Sequence, residues 1–234
     1  MVRLSGPEAH QLLHVLRVTP GTVVTCFDGN GQEADGTVQR VARREVLLEL
    51  GQARTMPGPR CWITLGIAVP RHAKFEQIID QATQLGVSRI IPLSTQRGVV
   101  KISREASAQK QIRWSHVAVA AGKQSGTSRL PVVDPMTSWV EFLQLFSEFD
   151  RVLIAALEGP YSNLQTLLSG KEGRSVLLLI GPEGDFTSEE IREAVQAGAR
   201  RVWLGPTVLR CETAVVAGLT LVSYFLNLRS TTQR

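Results

Sequence analysis

The chain has 234 residues, of which 43% are hydrophobic and 20% are charged. The length suits one large domain or two modest ones, and the composition allows a sizeable core. Its three cysteines, Cys26, Cys61 and Cys211, lie far apart. Their odd number and spacing argue against a disulfide framework and a metal site, and no signal peptide is visible in residues 1–10. We therefore expect a protein of the reducing cytoplasm that holds no metal.

The positive charge is concentrated in the middle of the chain. The net charge is +5 overall, but residues 59–130 hold 11 Lys and Arg against 3 Asp and Glu. Residues 1–58 are neutral and residues 131–234 carry a net −3. The middle segment is either an ordinary solvated surface or a surface that faces the phosphates of a nucleic acid. Few aromatic residues accompany it, so a stacking platform for single strands has weak support.

The first predicted element is a short helix over residues 5–18. Ser5 and Glu8 have the spacing of a capping box. Apolar residues then recur at helical intervals, at Ala9, Leu12, Leu13 and Leu16. His10 and His14 lie four residues apart on this helix but lack a third metal ligand. A structural or RNA-facing role therefore explains them better than a metal site.

Strand-like runs separated by turn residues follow and end near Leu50. Residues 28–31, Asp-Gly-Asn-Gly, predict a hairpin. GNGQEA at 29–34 matches a dinucleotide-binding pattern by letter, but no helix follows it, so we interpret it as the hairpin turn. Residues 51–60 contain two prolines and two glycines and predict a linker. A small β-barrel or sandwich is therefore expected before this linker.

From Cys61 the pattern alternates between strands and helices. Strands are predicted at residues 62–69, 89–93, 151–157, 175–180 and 201–205, and helices near 75–85, 104–123, 138–146, 187–195 and 215–226. Ser138 with Glu141 and Thr187 with Glu190 have capping-box spacing. Continuous apolar strands between helices predict a mostly parallel sheet covered on both faces. The uncharged stretch 213–228 is short for a membrane span and predicts a helix in a core or subunit interface.

Two loops of unusual composition follow predicted strands, at residues 181–186 and 205–214. In open α/β sheets, ligands bind beyond the carboxyl ends of the strands. The loops bring Glu183, Arg210 and Glu212 but no phosphate-binding signature and no nucleophile with a base. Either loop alone could be a tight turn with a helix cap. Two of them on consecutive strand ends favour a backbone-lined cleft for a small ligand such as a nucleoside.

The same loops carry a family resemblance. LLIGPEGDFTSEEI at 178–191 followed by LGPTVLRCETA at 204–214 resembles the ribosomal RNA small-subunit methyltransferase E family, a SPOUT-class family of S-adenosylmethionine-dependent enzymes. HQLLHVLRVTPG, FDGNG, DQATQLGVSRIIPL and KQSGTSRLP are similar to its other signatures and occur in the same order. The resemblance therefore covers nearly the whole chain.

The resemblance implies an α/β protein with an N-terminal PUA-like RNA-binding β-barrel at residues 1–58. A SPOUT methyltransferase domain with a C-terminal trefoil knot would occupy residues 59–234. Family members are homodimers that methylate N3 of a uridine in 16S ribosomal RNA of the small subunit. The knot loops would bind S-adenosylmethionine largely through backbone atoms, at Leu157, Ile180, Gly181, Pro182, Glu183, Gly184, Leu204, Gly205, Val208, Leu209, Arg210, Cys211, Glu212, Thr213 and Ala214.

The chain departs from the family pattern at several positions. Asp185 stands where the family usually has a second glycine, although aspartate tolerates a left-handed backbone. Cys211 replaces a usual threonine. Gln81 and Gln84 replace a usual lysine and glutamate, and KQSGTSR spaces its arginine further from its glutamine. The last two differences bear on RNA contacts more than on the cofactor.

Candidate roles follow from the chemistry of methyl transfer. Arg210 would stabilise negative charge on the uracil oxygens, or else form a salt bridge with Glu183 or Glu212. Glu183 would accept the N3 proton or, as we favour, orient the loop. RNA contacts are assigned to Arg17, Arg71, Lys74, Arg97, Lys123 and Arg129, each of which could instead be a solvated surface charge. The alternatives are a SPOUT enzyme acting on another RNA position, such as a ribose 2′-hydroxyl, and a non-catalytic RNA-binding relative.

Overall fold

The computed structural model describes residues 1–70, 74–98, 104–168 and 174–227. The chain forms two compact units, Met1–Gly58 and Pro59–Arg234. Each unit has its own hydrophobic core.

The first unit is an antiparallel sheet with one helical segment. Its strands are β1 (Val2–Ser5), β2 (Val23–Phe27), β3 (Gln32–Val41), β4 (Glu45–Leu50) and β5 (Arg54–Thr55). They are ordered β1-β4-β3-β2, with β5 paired to β3. Strand β5 lies inside the predicted linker, because Gln32 and Glu33 of β3 pair with Thr55 and Arg54. The core contains Ala9, Leu12, Val18, Val38, Val46 and Leu48.

The hairpin predicted at residues 28–31 joins β2 to β3. The Asp28 carboxylate accepts hydrogen bonds from the backbone N–H groups of Asn30 at 2.7 Å and Gln32 at 3.0 Å. Gly29 and Gly31 adopt positive φ angles of 82° and 96°, which glycine reaches without steric cost. The hairpin is confirmed, and the dinucleotide-binding reading of these letters is excluded.

The predicted first helix differs from expectation. It consists of α1 (Gly6–His10) and a π-helical turn, Gln11–Val15. Ser5 is the last residue of β1, paired with Glu45, and its side chain makes no capping hydrogen bond. The predicted capping box is therefore wrong, because strand pairing holds Ser5. Leu16, predicted on the buried face, is 57% exposed, because the wider π turn rotates it away from the core.

The second unit is a parallel sheet with helices on both faces. Its strands are β6 (Trp62–Ala68), β7 (Arg89–Ser94), β8 (Val132–Val133), β9 (Thr137–Ser138), β10 (Arg151–Ala155), β11 (Ser175–Ile180) and β12 (Arg200–Val202). Its helices are α2 (Lys74–Gln84), α3 (Arg104–Ser125), α4 (Trp139–Gln144), α5 (Leu164–Leu168), α6 (Ser188–Gln196) and α7 (Cys211–Asn227). The strand order is β12-β10-β11-β6-β7-β8, with β9 paired to β7, and every pairing is parallel.

The burial of β11 explains why its sequence is apolar throughout. Leu178 and Ile180 pack into a core shared with α2, α3 and α7. Leu177 and Leu179 point to the other face and join a core shared with α4 and α6. Both faces of the sheet are covered, as the continuous apolar runs predicted. The short elements β8, β9 and α5 were not predicted.

Two predicted helix starts are confirmed in detail. Ser138 before α4 and Thr187 before α6 each accept a hydrogen bond from the backbone N–H three residues further along. The carboxylates of Glu141 and Glu190 in turn accept the backbone N–H of Ser138 and of Thr187. Within the described residues, no helix combines the length and apolar character needed to cross a membrane.

Candidate functional site

The strand order of the second unit brings three strand ends side by side. β10 lies between β12 and β11, with Ala155 beside Val202 and Ile154 beside Leu179. Because all three strands are parallel, the segments that leave them emerge at the same edge of the sheet. These segments enclose a cavity of about 180 Å³.

Most of the predicted cofactor residues line this cavity. They are Leu157, Ile180, Gly181, Pro182, Glu183, Leu204, Gly205, Val208, Leu209, Cys211 and Ala214. Four predicted residues lie outside the lining: Gly184 in the first loop, Arg210 at the end of the second loop, and Glu212 and Thr213 in the first turn of α7.

Six further residues line the cavity and were not predicted. They are Ala155, Ala156, Asp185, Trp203, Pro206 and Thr207. Asp185, Pro206 and Thr207 fall within the two predicted loops, so their position in the sequence could have identified them. The residues that follow β10 carry no comparable signal, because only the strand order shows that β10 ends between the two loops.

The first loop is shaped by Gly181 and Asp185. A Cβ on Gly181 would come within 2.9 Å of the Asp185 Oδ1 and 3.0 Å of the Phe186 nitrogen, so the loop needs glycine there. Asp185 has a φ of 59° and donates its N–H to the Pro182 oxygen at 2.9 Å. Its carboxylate accepts the N–H of Phe186 at 2.8 Å and of Leu157 at 3.2 Å. Asp185 therefore ties the segment after β10 to the loop after β11.

The segment that follows β7 also makes hydrogen bonds to the first loop and to the start of α6. The Arg97 guanidinium donates to the Gly184 oxygen at 2.6 Å. The buried Glu190 carboxylate accepts the N–H of Thr187 and the N–H of Gln96, both at 2.8 Å. Arg97, predicted as an RNA contact, lies in this structure against the backbone of the site loop.

Cys211 closes the floor of the cavity at the start of α7. It is 4% exposed, and its thiol donates to the Gly181 oxygen at 3.2 Å. Burial, and then the charges of Glu183 and Glu212, raise the pKa of the Cys211 thiol to about 12. The thiol therefore stays protonated at neutral pH and is not a nucleophile.

The charged residues around the cavity are arranged on its rim. Lys74 pairs with Glu212 at 3.3 Å. The backbone N–H of Glu212 itself, and then Lys74, hold the pKa of the Glu212 carboxyl below its usual value. Arg210 is exposed and, within the described part of the chain, forms no ion pair with Glu183 or Glu212. Glu183 is also exposed and lines the cavity.

The remaining predicted RNA contacts do not gather at the cavity. Arg17 lies in the first unit, exposed and with a φ of 53°. Lys123, in the last turn of α3, and Arg129 are partly buried. Arg71 lies outside the described residues. Among the residues described, no three or more His, Cys, Asp or Glu side chains cluster as metal ligands would.

Comparison with known proteins identifies the family. Residues 57–223 match an RNA methyltransferase domain, and residues 4–51 match an RNA methyltransferase PUA domain. A ribosomal RNA small subunit methyltransferase E from Bacillus subtilis is 30% identical over 94% of this chain and 89% of the relative. The chain belongs to the ribosomal RNA small subunit methyltransferase E family. A Synechocystis member is 28% identical over 96% of this chain and 73% of the relative.

Solved structures agree with this family assignment. Methyltransferase E from Neisseria gonorrhoeae, crystallised with S-adenosylmethionine, aligns with a TM-score of 0.83 at 26% identity, covering 95% of this chain and 91% of that one. A Legionella pneumophila methyltransferase, also crystallised with bound cofactor, has the same TM-score and coverage at 27% identity. The predicted α/β fold, with a PUA-like unit before a methyltransferase unit, is confirmed.

Proposed function

We propose that this methyltransferase E family member transfers the methyl group of S-adenosylmethionine to N3 of one uridine in 16S ribosomal RNA, in the cytoplasm. The observation that carries the proposal is the cavity at the joined ends of β12, β10 and β11. It occurs in a chain whose relatives of the same fold were crystallised with S-adenosylmethionine.

The chemistry of the cavity fits this cofactor. No lysine, arginine or histidine is among the described residues that line it, which disfavours a polyphosphate ligand, whereas Glu183 offers a negative charge to a cationic one. Ile180, Leu204 and Leu209 provide apolar surface for a purine ring. The bound cofactor would supply an electrophilic methyl group on sulfur. The protonated Cys211 thiol would not compete for it, because the thiolate is the reactive form.

Arg210 is the residue to which we assign charge stabilisation. Its carbonyl accepts the N–H of Ala214 at 2.8 Å, which fixes its backbone at the first turn of α7. Its side chain is exposed and not ion-paired within the described residues, so it is free to meet a uracil oxygen as the N3 proton leaves. Glu183, on the cavity wall, would orient the loop and the cofactor, and the N3 proton would pass to solvent water.

The proposal includes the trefoil knot and the homodimer that the family resemblance implies. Its RNA surface would draw on Arg17, Lys123 and Arg129, together with Arg71, whose structure is not described. The support for a dimer is a groove of about 550 Å³ between the end of β12 and α7, lined by Tyr161, Trp203, Leu221 and Phe225 among others. Trp203 lines both this groove and the cofactor cavity, so a second copy in the groove would abut the cofactor site.

The proposal is tested by analysing the product. The purified protein is incubated with methyl-labelled S-adenosylmethionine and either naked 16S RNA or small subunits from cells that lack this modification. The RNA is then digested to nucleosides. Label in 3-methyluridine is expected. Label in a 2′-O-methylated nucleoside would assign a different RNA position. A protein that binds the RNA but neither binds S-adenosylmethionine nor labels the RNA would be a non-catalytic relative.

The role of Arg210 is tested in the same assay. Arg210→Ala should lower kcat by about 10²–10³-fold, the range seen when one charge-stabilising donor is removed, while calorimetric affinity for S-adenosylmethionine is retained. Arg192→Ala, which removes an exposed arginine on α6, is the matched control and should keep wild-type turnover. Unchanged turnover of Arg210→Ala would remove Arg210 from the mechanism.

A further inference from the structure

The first unit holds a second cavity, of about 380 Å³, whose lining is rich in basic side chains. Two walls of this cavity come from separate parts of the chain. Gly6, His10, Leu13 and His14 belong to α1 and the π turn, and Arg43 and Arg44 lie at the turn between β3 and β4. The Ala42 N–H donates to the Glu45 oxygen at 2.9 Å and closes that turn. The antiparallel fold thus brings two arginines against two histidines that are about thirty residues away in the chain.

The two histidines present their rings together. Their ring centroids are 4.6 Å apart with an interplanar angle of 45°, and both residues are exposed. Each imidazole has at least one N–H donor in either protonation state. The pair therefore offers two donors on one wall of the cavity without requiring a change of charge.

The arginines opposite them are available to a ligand. Within the described residues, Arg43 and Arg44 have no ion pair or hydrogen-bond partner from their side chains, and both are exposed. Other arginines of the unit are engaged: Arg3 with Glu45 at 3.8 Å, and Arg54 with Asp35 at 2.9 Å. No carboxylate lines the cavity, although residues 1–58 as a whole have equal numbers of acidic and basic residues. Two of the six arginines of residues 1–58 therefore meet at a cavity whose lining has no acidic residue.

We propose that His10, His14, Arg43 and Arg44 form a binding site for a phosphate group of the RNA backbone. Guanidinium groups match phosphate oxygens with two parallel N–H donors, and the imidazoles supply further donors. The cavity holds no Phe, Tyr or Trp on which a base could stack, so it favours the backbone over a nucleobase. The inference rests on the proposed function in that it takes RNA as the substrate. The site adds affinity and register, and takes no part in methyl transfer.

The test compares two double variants that remove the same charge. Arg43→Ala/Arg44→Ala empties one wall of the cavity, and Arg3→Ala/Arg40→Ala removes two exposed arginines of the same unit that do not line it. Binding of a fluorescein-labelled single-stranded RNA oligonucleotide to the full chain is followed by anisotropy over a series of salt concentrations. Loss of this one phosphate contact should reduce the slope of log K against log salt by about 0.7, and weaken binding at low salt about tenfold.

The control variant should keep a slope near that of the wild type. Equal losses in both double variants would mean only a general charge effect and would overturn the proposal. His10→Phe/His14→Phe keeps the rings and removes the donors, and should also weaken binding without any change in Arg content. Because all these positions are exposed, each variant should stay folded, and an unchanged circular dichroism spectrum checks this for the antiparallel sheet of the first unit. Unchanged calorimetric binding of S-adenosylmethionine checks the second unit.

Two further arms separate the ligand sources and the two proposals. Inorganic phosphate at constant ionic strength should compete only weakly, and displacement of RNA at low phosphate concentration would instead assign the site to free phosphate. A wild type that binds RNA through these residues but yields no methylated nucleoside would defeat the proposed function and leave the site standing. Full methylation by the wild type, with unchanged RNA affinity in Arg43→Ala/Arg44→Ala, would support the proposed function and overturn the phosphate site.

Discussion

At the scale of single residues, Asp185 shows how a departure from the family pattern is accommodated. Its left-handed backbone, with φ at 59°, costs most side chains about 1–2 kcal/mol. Aspartate is among the residues that tolerate this conformation, and its carboxylate binds the N–H groups of Phe186 and Leu157. Leu157 lines the cavity, so the carboxylate holds one wall in place.

Replacing Asp185 should separate backbone strain from loop positioning. Asp185→Gly removes both hydrogen bonds and also the strain, so the free energy of unfolding should change by less than about 1 kcal/mol. The segment that contains Leu157 would no longer be held by the carboxylate, so the Kd for S-adenosylmethionine should rise about 5–10-fold. This rise corresponds to the free energy of one or two modest hydrogen bonds. Asp185→Asn, which keeps one acceptor, should restore part of the affinity. Calorimetry that gives the glycine variant wild-type affinity would contradict the positioning role.

The site could be predicted well where the signal lies in local composition. The glycines and proline of residues 181–184 predict a tight loop, and Gly181 is the position where a Cβ would collide with Asp185. The role of Lys74 could not be predicted in this way. Its partner Glu212 lies 138 residues further along the chain, and only the packing of α2 against α7 brings them together.

At the scale of elements, capping boxes are predictable only where no long-range pairing competes. Thr187 and Glu190 form their box because the chain leaves a loop and enters α6 freely. Ser5 and Glu8 have the same spacing, yet Ser5 is held in β1 by pairing with β4. The order of β12, β10 and β11 is similarly a product of tertiary packing, so the contribution of residues 155–157 to the cavity was only partly foreseen.

The buried Glu190 carboxylate joins two elements, and its replacement should loosen both. Glu190→Gln leaves an amide NH₂ facing one of the two backbone N–H donors, of Thr187 or Gln96. An unsatisfied buried donor costs about 1–3 kcal/mol, so unfolding of the second unit should be easier by that amount. All four tryptophans, Trp62, Trp114, Trp139 and Trp203, lie in this unit, so tryptophan fluorescence in urea reports on it alone.

Glu141→Gln is the matched control for Glu190→Gln. Glu141 makes the equivalent box with Ser138 on α4, but it is exposed, so water replaces any lost bond. Its cost should stay below about 1 kcal/mol. Equal losses in the two variants would mean that Glu190 serves only as a helix cap and does not brace the segment after β7.

At the scale of the whole molecule, the uncharged stretch that ends in α7 has two environments. Val215, Leu219 and Val222 are buried in the core of the second unit. Tyr224, two residues further along, is 57% exposed, and its ring lies edge-on to that of Phe225, with ring centroids 5.5 Å apart. A large aromatic surface left in water at the end of a core helix is typical of a surface that meets another subunit.

The proposed homodimer predicts the effect of a charge placed on this surface. The wild type should show about twice its chain mass of 25.6 kDa by size-exclusion chromatography with light scattering. Tyr224→Arg should shift the mass toward that of a single chain, because a desolvated, unpaired guanidinium opposes association. Ile112→Arg, at an apolar residue of α3 that is 60% exposed, is the matched control and should leave the mass unchanged.

Dimerisation and cofactor affinity should change together. Trp203 lines both the groove beside α7 and the cofactor cavity, so a partner in the groove would hold that cavity wall. Binding linkage then requires that S-adenosylmethionine favour the dimer as much as the dimer favours S-adenosylmethionine. The monomeric Tyr224→Arg variant should therefore bind the cofactor about tenfold more weakly, whereas Ile112→Arg should bind it normally. A Tyr224→Arg variant that is monomeric yet binds with wild-type affinity would separate the interface from the site, and one that stays dimeric would place the interface elsewhere.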